Sequence, residues 1–153
     1  MREILFRGKN NAGEWLYGYL TKPAGNPCFI IDGDDYFGGV IEETVGQYTG
    51  LTDKNGKKIF EGDIVLTQEY STRPFAKNAK RKRLVGVVEY YEQKHYGKNV
   101  IYNNGYRVKI KNQGKYVCGA WSDFYDCEVI GNIFDNGELL NEDWKTTISV
   151  SRG

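Results

Sequence analysis

Short apolar and aromatic runs recur along the chain at roughly ten-residue spacing, separated by polar turns, a pattern of β-strands in a barrel or sandwich. Met1–Phe6 reads as a first strand, and Asn10-Asn11-Ala12-Gly13 as a turn. Trp15–Leu20 follows as a second strand, with Trp15, Tyr17 and Tyr19 on one face by the two-residue period. Pro23 and Pro27 bracket a loop, Cys28–Ile31 is a short strand, and Asp32–Asp35 turns into Tyr36-Phe37. Residues 38–44 are ambiguous, because Gly38-Gly39 opposes helix and Glu42-Glu43 opposes a buried strand.

Val45–Thr49 and Lys58–Phe60 flank the polar turn Thr52–Gly56, whose Asn55-Gly56 pair tolerates the positive φ of a tight hairpin. Gly62-Asp63 makes a sharp turn into Ile64–Thr67, expected to be a core strand, and Asp63 is expected to accept backbone N–H bonds there. Leu84–Tyr91 is the most convincing strand of the chain. Val100–Tyr102 and Tyr106–Ile110 flank Asn103-Asn104-Gly105, a second hairpin signature. In Tyr106–Lys111 the apolar Tyr106, Val108 and Ile110 alternate with Arg107, Lys109 and Lys111, which makes one face apolar and the other cationic. Asp126–Ile133 is a late strand, Asn136–Leu140 a short helix or single turn, and Thr146–Val150 alternates weakly. The expected core is Ile64, Val65, Val85, Val87, Val108, Ile110, Val129 and Ile133.

Composition agrees with a mainly β chain. Among 153 residues, 19 Gly supply turns, and 12 Tyr, 7 Phe and 3 Trp suit pleated, half-buried surfaces. The length suffices for one domain, or one domain with a lobe. No apolar run approaches the ~18 residues that span a bilayer, and Met1–Arg7 lacks the apolar segment of a secretory signal. The 3 Cys, at 28, 118 and 127, form no close pair, which fits free thiols in a reducing cytoplasm.

The net charge of +1 is a cancellation. Residues 1–76 carry 8 basic and 11 acidic groups, residues 77–115 carry 11 and 2, and residues 116–153 carry 2 and 7, giving −3, +9 and −5. The densest run is Lys77, Lys80, Arg81, Lys82 and Arg83, read as a loop or an extended hairpin arm. Cations attract phosphates by releasing counterions, and neighbouring aromatics stack on unpaired bases. Arg81, Lys82, Arg83, Arg107, Lys109 and Tyr106 are therefore the candidate nucleic-acid-binding residues. The same block also suits a loop kept soluble by charge, edge strands protected by lysines, or docking to an acidic protein or a second copy of the chain.

Catalytic chemistry finds little support. His95, the single His, sits in a polar stretch, and no Ser occupies a nucleophile elbow. Cys118, Cys127 and His95 lack zinc-ligand spacing, and Asp32-Gly33-Asp34-Asp35 lacks the later Gly and Glu of a calcium loop. No phosphate-cradling glycine motif occurs, so no metal or cofactor is expected.

The segment Glu43–Val65, ETVGQYTGLTDKNGKKIFEGDIV, closely resembles the signature of the YopX-like phage and prophage proteins. The stretches Met1–Gly8, Gly13–Leu20 and Glu128–Leu140 agree with it, so the resemblance spans residues 1–140; the basic stretch 73–83 and the tail 141–153 depart from it. It implies a mainly β protein with a small SH3-like barrel, encoded by a phage or prophage of a bacterial host, and carries no catalytic residues over. The expected layout is an N-terminal β-rich lobe over 1–58, an SH3-like barrel over 59–140 with a basic insertion near 70–83, little helix, and a tail over 141–153. The expected function is that of a non-enzymatic, cytoplasmic accessory protein that binds nucleic acid through 77–111. The alternative is a homo-oligomeric or host-protein-binding module. An enzyme ranks third, and no membrane partner is expected.

Overall fold

A computed structural model describes residues 3–33, 36–68, 83–93, 103–110, 116–117, 124 and 126–141. The chain forms two compact units, one of Met1–Leu51 with Lys58–Glu61 and one of Thr52–Lys57 with Gly62–Gly153. The protein is mainly β, and its described strands make two antiparallel sheets. Among the described residues no helix is long and apolar enough to cross a membrane.

The first unit is a six-stranded sheet in the order β4-β3-β2-β1-β5-β6. Its strands are β1 (Phe6–Lys9), β2 (Trp15–Thr21), β3 (Cys28–Asp32), β4 (Tyr36–Val40), β5 (Gly46–Thr52) and β6 (Lys58–Phe60). β1 starts at Phe6, and Glu3–Leu5 lies outside any strand, a correction to the strand expected over Met1–Phe6. Apolar character made residues 1–6 look like a strand, but the ladder begins where Phe6 meets Gly18 and Gln47. The β1–β2 turn is held by the Asn10 side-chain oxygen, which accepts the N–H groups of Ala12 (3.0 Å) and Glu14 (2.9 Å). The ambiguous 38–44 resolves into the end of β4 and a 3-10 turn at Glu42–Thr44, where Thr44 Oγ1 accepts the Lys9 N–H at 2.8 Å. Cys28, Ile30 and Val40 form the core of one face, joined by Phe6, Leu16, Leu20 and Val45.

Gly18 is required by close approach rather than by a turn. A Cβ there would lie 2.0 Å from the Ile31 carbonyl oxygen and 2.6 Å from its carbon, both backbone atoms of the neighbouring β3. Gly18→Ala is expected to force β2 from β3 and to cost about 2–3 kcal/mol, the upper range of overpacking. Urea unfolding of the variant against wild type checks it; a loss below about 0.5 kcal/mol would contradict the β2–β3 register.

The second unit holds β7 (Asp63–Gln68), β8 (Arg83–Gln93), β9 (Asn103–Ile110), β10 (Tyr116–Val117) and β11 (Glu128–Asn132), in the order β10-β9-β8-β7-β11. Paired residues share a face, so the ladder sorts the side chains. One face carries Val65, Leu84, Val88, Val108 and Ile110, all buried. The other carries Ile64, Leu66 and Val85, which pack with Ile130, Leu139 and Leu140. Ile130 sits where a register shift between Val129 and Gly131 interrupts the β11–β7 ladder, and Leu139 and Leu140 come from the 3-10 turn Gly137–Leu140. β7 is thus covered on both sides, which is why Ile64 and Val65 are both fully buried.

Three expectations about this unit need correction. Asn103-Asn104-Gly105 is no turn: these residues lie inside β9, opposite Gln93, Glu92 and Tyr91. Their composition suits a turn, but the length of β8 supplies them with partners. Val87 and Val129 are half-buried, and Val88 takes the fully buried place, because period-two patterning in Leu84–Val88 leaves both faces apolar. Ile133 is 39% exposed, because β11 ends at Asn132, whose side-chain oxygen accepts the N–H groups of Phe134 and Asp135 in a turn. The expected features at 70–82, 94–102 and 142–153 lie outside the described residues.

The turn Asp53–Lys57 belongs to the second unit. Gly56 sits at φ +81°, as the Asn55-Gly56 pair predicts. The Asp53 carboxylate, with its residue 6% exposed, accepts N–H bonds from Asn55 (2.8 Å) and Lys57 (2.9 Å) through Oδ1, and from Val129 in β11 (3.0 Å) through Oδ2. Beside it, the Lys54 N–H donates to the Cys127 carbonyl at 3.0 Å, and the Lys54 ammonium pairs with Glu128 at 2.6 Å. One carboxylate therefore closes a local turn and fastens it to a strand 76 residues away in sequence. Asp63 is also buried, at the head of β7 opposite Asn132. Cys28 and Cys127 are buried free thiols, and burial with the nearby Asp53 carboxylate pushes the Cys127 thiol up to about 11.

Candidate nucleic-acid interface

Of the residues singled out for binding, Arg81 and Lys82 lie outside the described residues, and Arg83 is described only as the first backbone position of β8, opposite Gln68. Arg107, Lys109 and Tyr106 all lie on β9. The β8–β9 register pairs Arg107 with Glu89, Lys109 with Val87 and Tyr106 with Tyr90. Arg107 and Lys109 therefore share a face with Glu89 and Tyr91, whereas Tyr106 points to the opposite one with Val108. There Tyr106 meets Tyr90 edge-to-face, with ring centroids 5.4 Å apart at 70°.

The Arg107 guanidinium is positioned by two neighbours. Its Nε and Nη2 donate to Glu89 Oε1 at 2.8 and 2.6 Å, and its Cζ lies 4.8 Å from the centroid of the Tyr91 ring, over the ring face. The Lys109 ammonium sits 3.6 Å from Glu89 Oε2, with its side chain 54% exposed. The Arg107 and Glu89 side chains are only 21% and 27% exposed, so water screens this pair less than a fully exposed one. The arrangement holds a guanidinium over an aromatic ring beside an accessible ammonium. Such a surface suits phosphate and base stacking.

Glu89 is the residue that sequence reasoning missed. It is one of the two acidic groups in the 77–115 block, so its presence was visible. Its partner was not, because only the strand register decides which cation it faces. Register also separates Tyr106 from the cations; alternation along β9 already placed it with Val108 and Ile110 rather than with Arg107.

The match to the family described as YopX protein covers residues 10–141. The chain belongs to the YopX family. All of the β8–β9 face described above falls within the matched span of this YopX-family protein. The comparison with curated proteins finds no match. Among solved structures the YopX-family chain is similar to the crystal structure of protein EF1440 from Enterococcus faecalis, at 21% identity over 92% of this chain and 100% of that one, with a TM-score of 0.45.

Proposed function

We propose that this YopX-family protein is a non-enzymatic, phage- or prophage-encoded accessory protein of the bacterial cytoplasm that binds nucleic acid through the β8–β9 face. The observation that carries this reading is the Arg107 guanidinium held over the Tyr91 ring, with the Lys109 ammonium on the same face. Arg83 opens β8, so the basic run 77–83 leads directly into this pair of strands. We further propose that the second unit curls into a small SH3-like barrel. Its strand order supports this: β7 to β10 form a meander, and β11 returns beside β7, the order of SH3-like barrels.

Fluorescence anisotropy with single-stranded and duplex DNA oligonucleotides tests the binding. The double variant Arg107→Ala/Lys109→Ala is expected to weaken single-strand binding about tenfold and to flatten the dependence of log K on log salt by about 1.4, roughly 0.7 per lost phosphate contact. Glu89→Gln removes the carboxylate that competes with phosphate, and is expected to tighten binding by about three- to tenfold. A purely structural pair would leave affinity unmoved. Absence of binding at low salt, together with a mass that rises with concentration in sedimentation, would favour the alternative of a self-assembling module.

A further inference from the structure

The first unit carries a second cation–aromatic arrangement, on the sheet face opposite the Cys28–Ile30–Val40 core. The ladder sets Arg7 beside Tyr17, Lys9 beside Trp15 and Tyr19 beside Ile31. The Arg7 guanidinium lies 4.8 Å over the Trp15 ring and 5.1 Å over the Phe60 ring, and the Lys9 ammonium lies 5.5 Å over Trp15. Phe60 meets Tyr17 edge-to-face at 5.6 Å and Tyr48 at 5.5 Å, and the Lys58 ammonium lies 5.2 Å over Tyr48. Cations and rings thus form one connected row, Lys9–Trp15–Arg7–Phe60–Tyr48–Lys58, which Tyr17 joins through Phe60.

Burial divides this row. Arg7 and Phe60 are 5% and 3% exposed, whereas Tyr17 and Tyr19 are 45% and 62% exposed. Arg7 is also tied to the Glu61 carbonyl at 3.2 Å. Tyr17 therefore stands on a fixed base, through Phe60, while presenting itself to solvent. A ring held in place loses little freedom when a ligand covers it. Two exposed tyrosines alternating along one strand are not needed to fill the core, which the opposite face already supplies.

We propose that this face is a stacking platform for the unpaired bases of single-stranded nucleic acid, with Tyr17 and Tyr19 as the rings and Lys9 and Lys58 as the phosphate-side cations. Stacking accepts any base because each has a π-face, whereas a duplex hides those faces within its own stack. Lys58 pairs with Glu3 at 2.9 Å, but both side chains are largely exposed, so the pair exchanges for phosphate at little cost. This platform uses no residue of β8 or β9, so it stands or falls separately from the interface proposed above.

The test uses the intact chain and anisotropy with an oligo(dT) strand, an abasic strand of the same length and charge, and a duplex. The wild type is expected to bind oligo(dT) about tenfold or more tightly than the abasic strand. Tyr17→Ala/Tyr19→Ala is expected to lose about tenfold toward oligo(dT), while Tyr17→Phe/Tyr19→Phe keeps the affinity because the rings remain. Thermal melts of both variants verify that the exposed substitutions leave the fold intact. Equal binding of the abasic strand, or unchanged oligo(dT) affinity in the alanine variant, would overturn the platform. So would an alanine variant that alters only self-association. Loss in the Tyr17/Tyr19 variant with none in Arg107→Ala/Lys109→Ala supports the platform and rejects the β8–β9 interface; the reverse result rejects the platform alone. No binding to any strand rejects both.

Discussion

Replacing Ile64 by Ala is expected to remove about 3–5 kcal/mol of stability, the range for truncating a large side chain in a closed core. Ile64 has no exposed surface and packs with Leu66, Val85, Ile130, Leu139 and Leu140. Its strand is covered on both faces, so neighbours can collapse into the cavity only by shifting a ladder. Ile64→Val, which deletes one methyl, is expected to cost about 1 kcal/mol. Ile133→Ala supplies the contrast. Both isoleucines stand two residues after a Gly, in Gly62-Asp63-Ile64 and Gly131-Asn132-Ile133, within runs that read as core strands, but Ile133 is 39% exposed, and its truncation is expected to cost less than about 1 kcal/mol. Urea unfolding of the three variants checks the series. Equal losses at 64 and 133 would mean that β11 continues past Asn132, against the turn observed there.

The second large effect belongs to Asp53. Asp53→Ala is expected to cost about 2–4 kcal/mol, because three backbone N–H groups lose a charged acceptor at a site that is almost dry. Asp53→Asn keeps one acceptor oxygen and is expected to lose less, through the bond to Val129. The carboxylate also makes stability depend on acid. Burial by itself pushes the Asp53 carboxyl up, but the N–H donors of Val129, Lys57 and Asn55, with the Lys57 charge, outweigh burial and hold it below its ordinary 3.8. A folded-state value below the unfolded one means that the contribution is fully present above the ordinary value and is lost as pH falls through the folded one. The gap between wild type and Asp53→Ala is therefore expected to be constant near neutral pH and to narrow below about pH 4. Denaturant titrations at several pH values measure it. A gap that widened on acidification would show that Asp53 is held protonated instead.

These two residues mark how far the sequence could be read. The run Thr52–Gly56 was legible as a hairpin turn, since Asn55-Gly56 meets a local backbone demand. That Asp53 also reaches Val129 was not legible, because nothing local encodes a bond across 76 residues. The same division runs through β8 and β9. Alternation in Tyr106–Ile110 separates cations from apolar side chains correctly. The neutralising partner Glu89 and the ring beneath Arg107 follow from a register that no period-two count provides. Asn103-Asn104-Gly105 has turn composition and yet lies in a strand, since tertiary pairing overrides a weak local preference.

The sequence thus carries enough local information to establish a β protein and, among the described residues, most of its strands and several of its turns. Backbone sterics, side-chain alternation and turn chemistry act over a few residues, and a one-dimensional pattern records them. Membership of the YopX family was likewise legible, as a resemblance carried by the Glu43–Val65 segment within the matched residues 10–141. What only the tertiary structure decided is which apolar face is covered, and which charges meet. Ile64 is buried on the side where Ile130, Leu139 and Leu140 arrive from the far end of the chain, and Arg107 is paired because Glu89 lies directly across a ladder. Both outcomes depend on burial and Coulomb contact between residues distant in sequence, and those energies exist only once the sheets have formed.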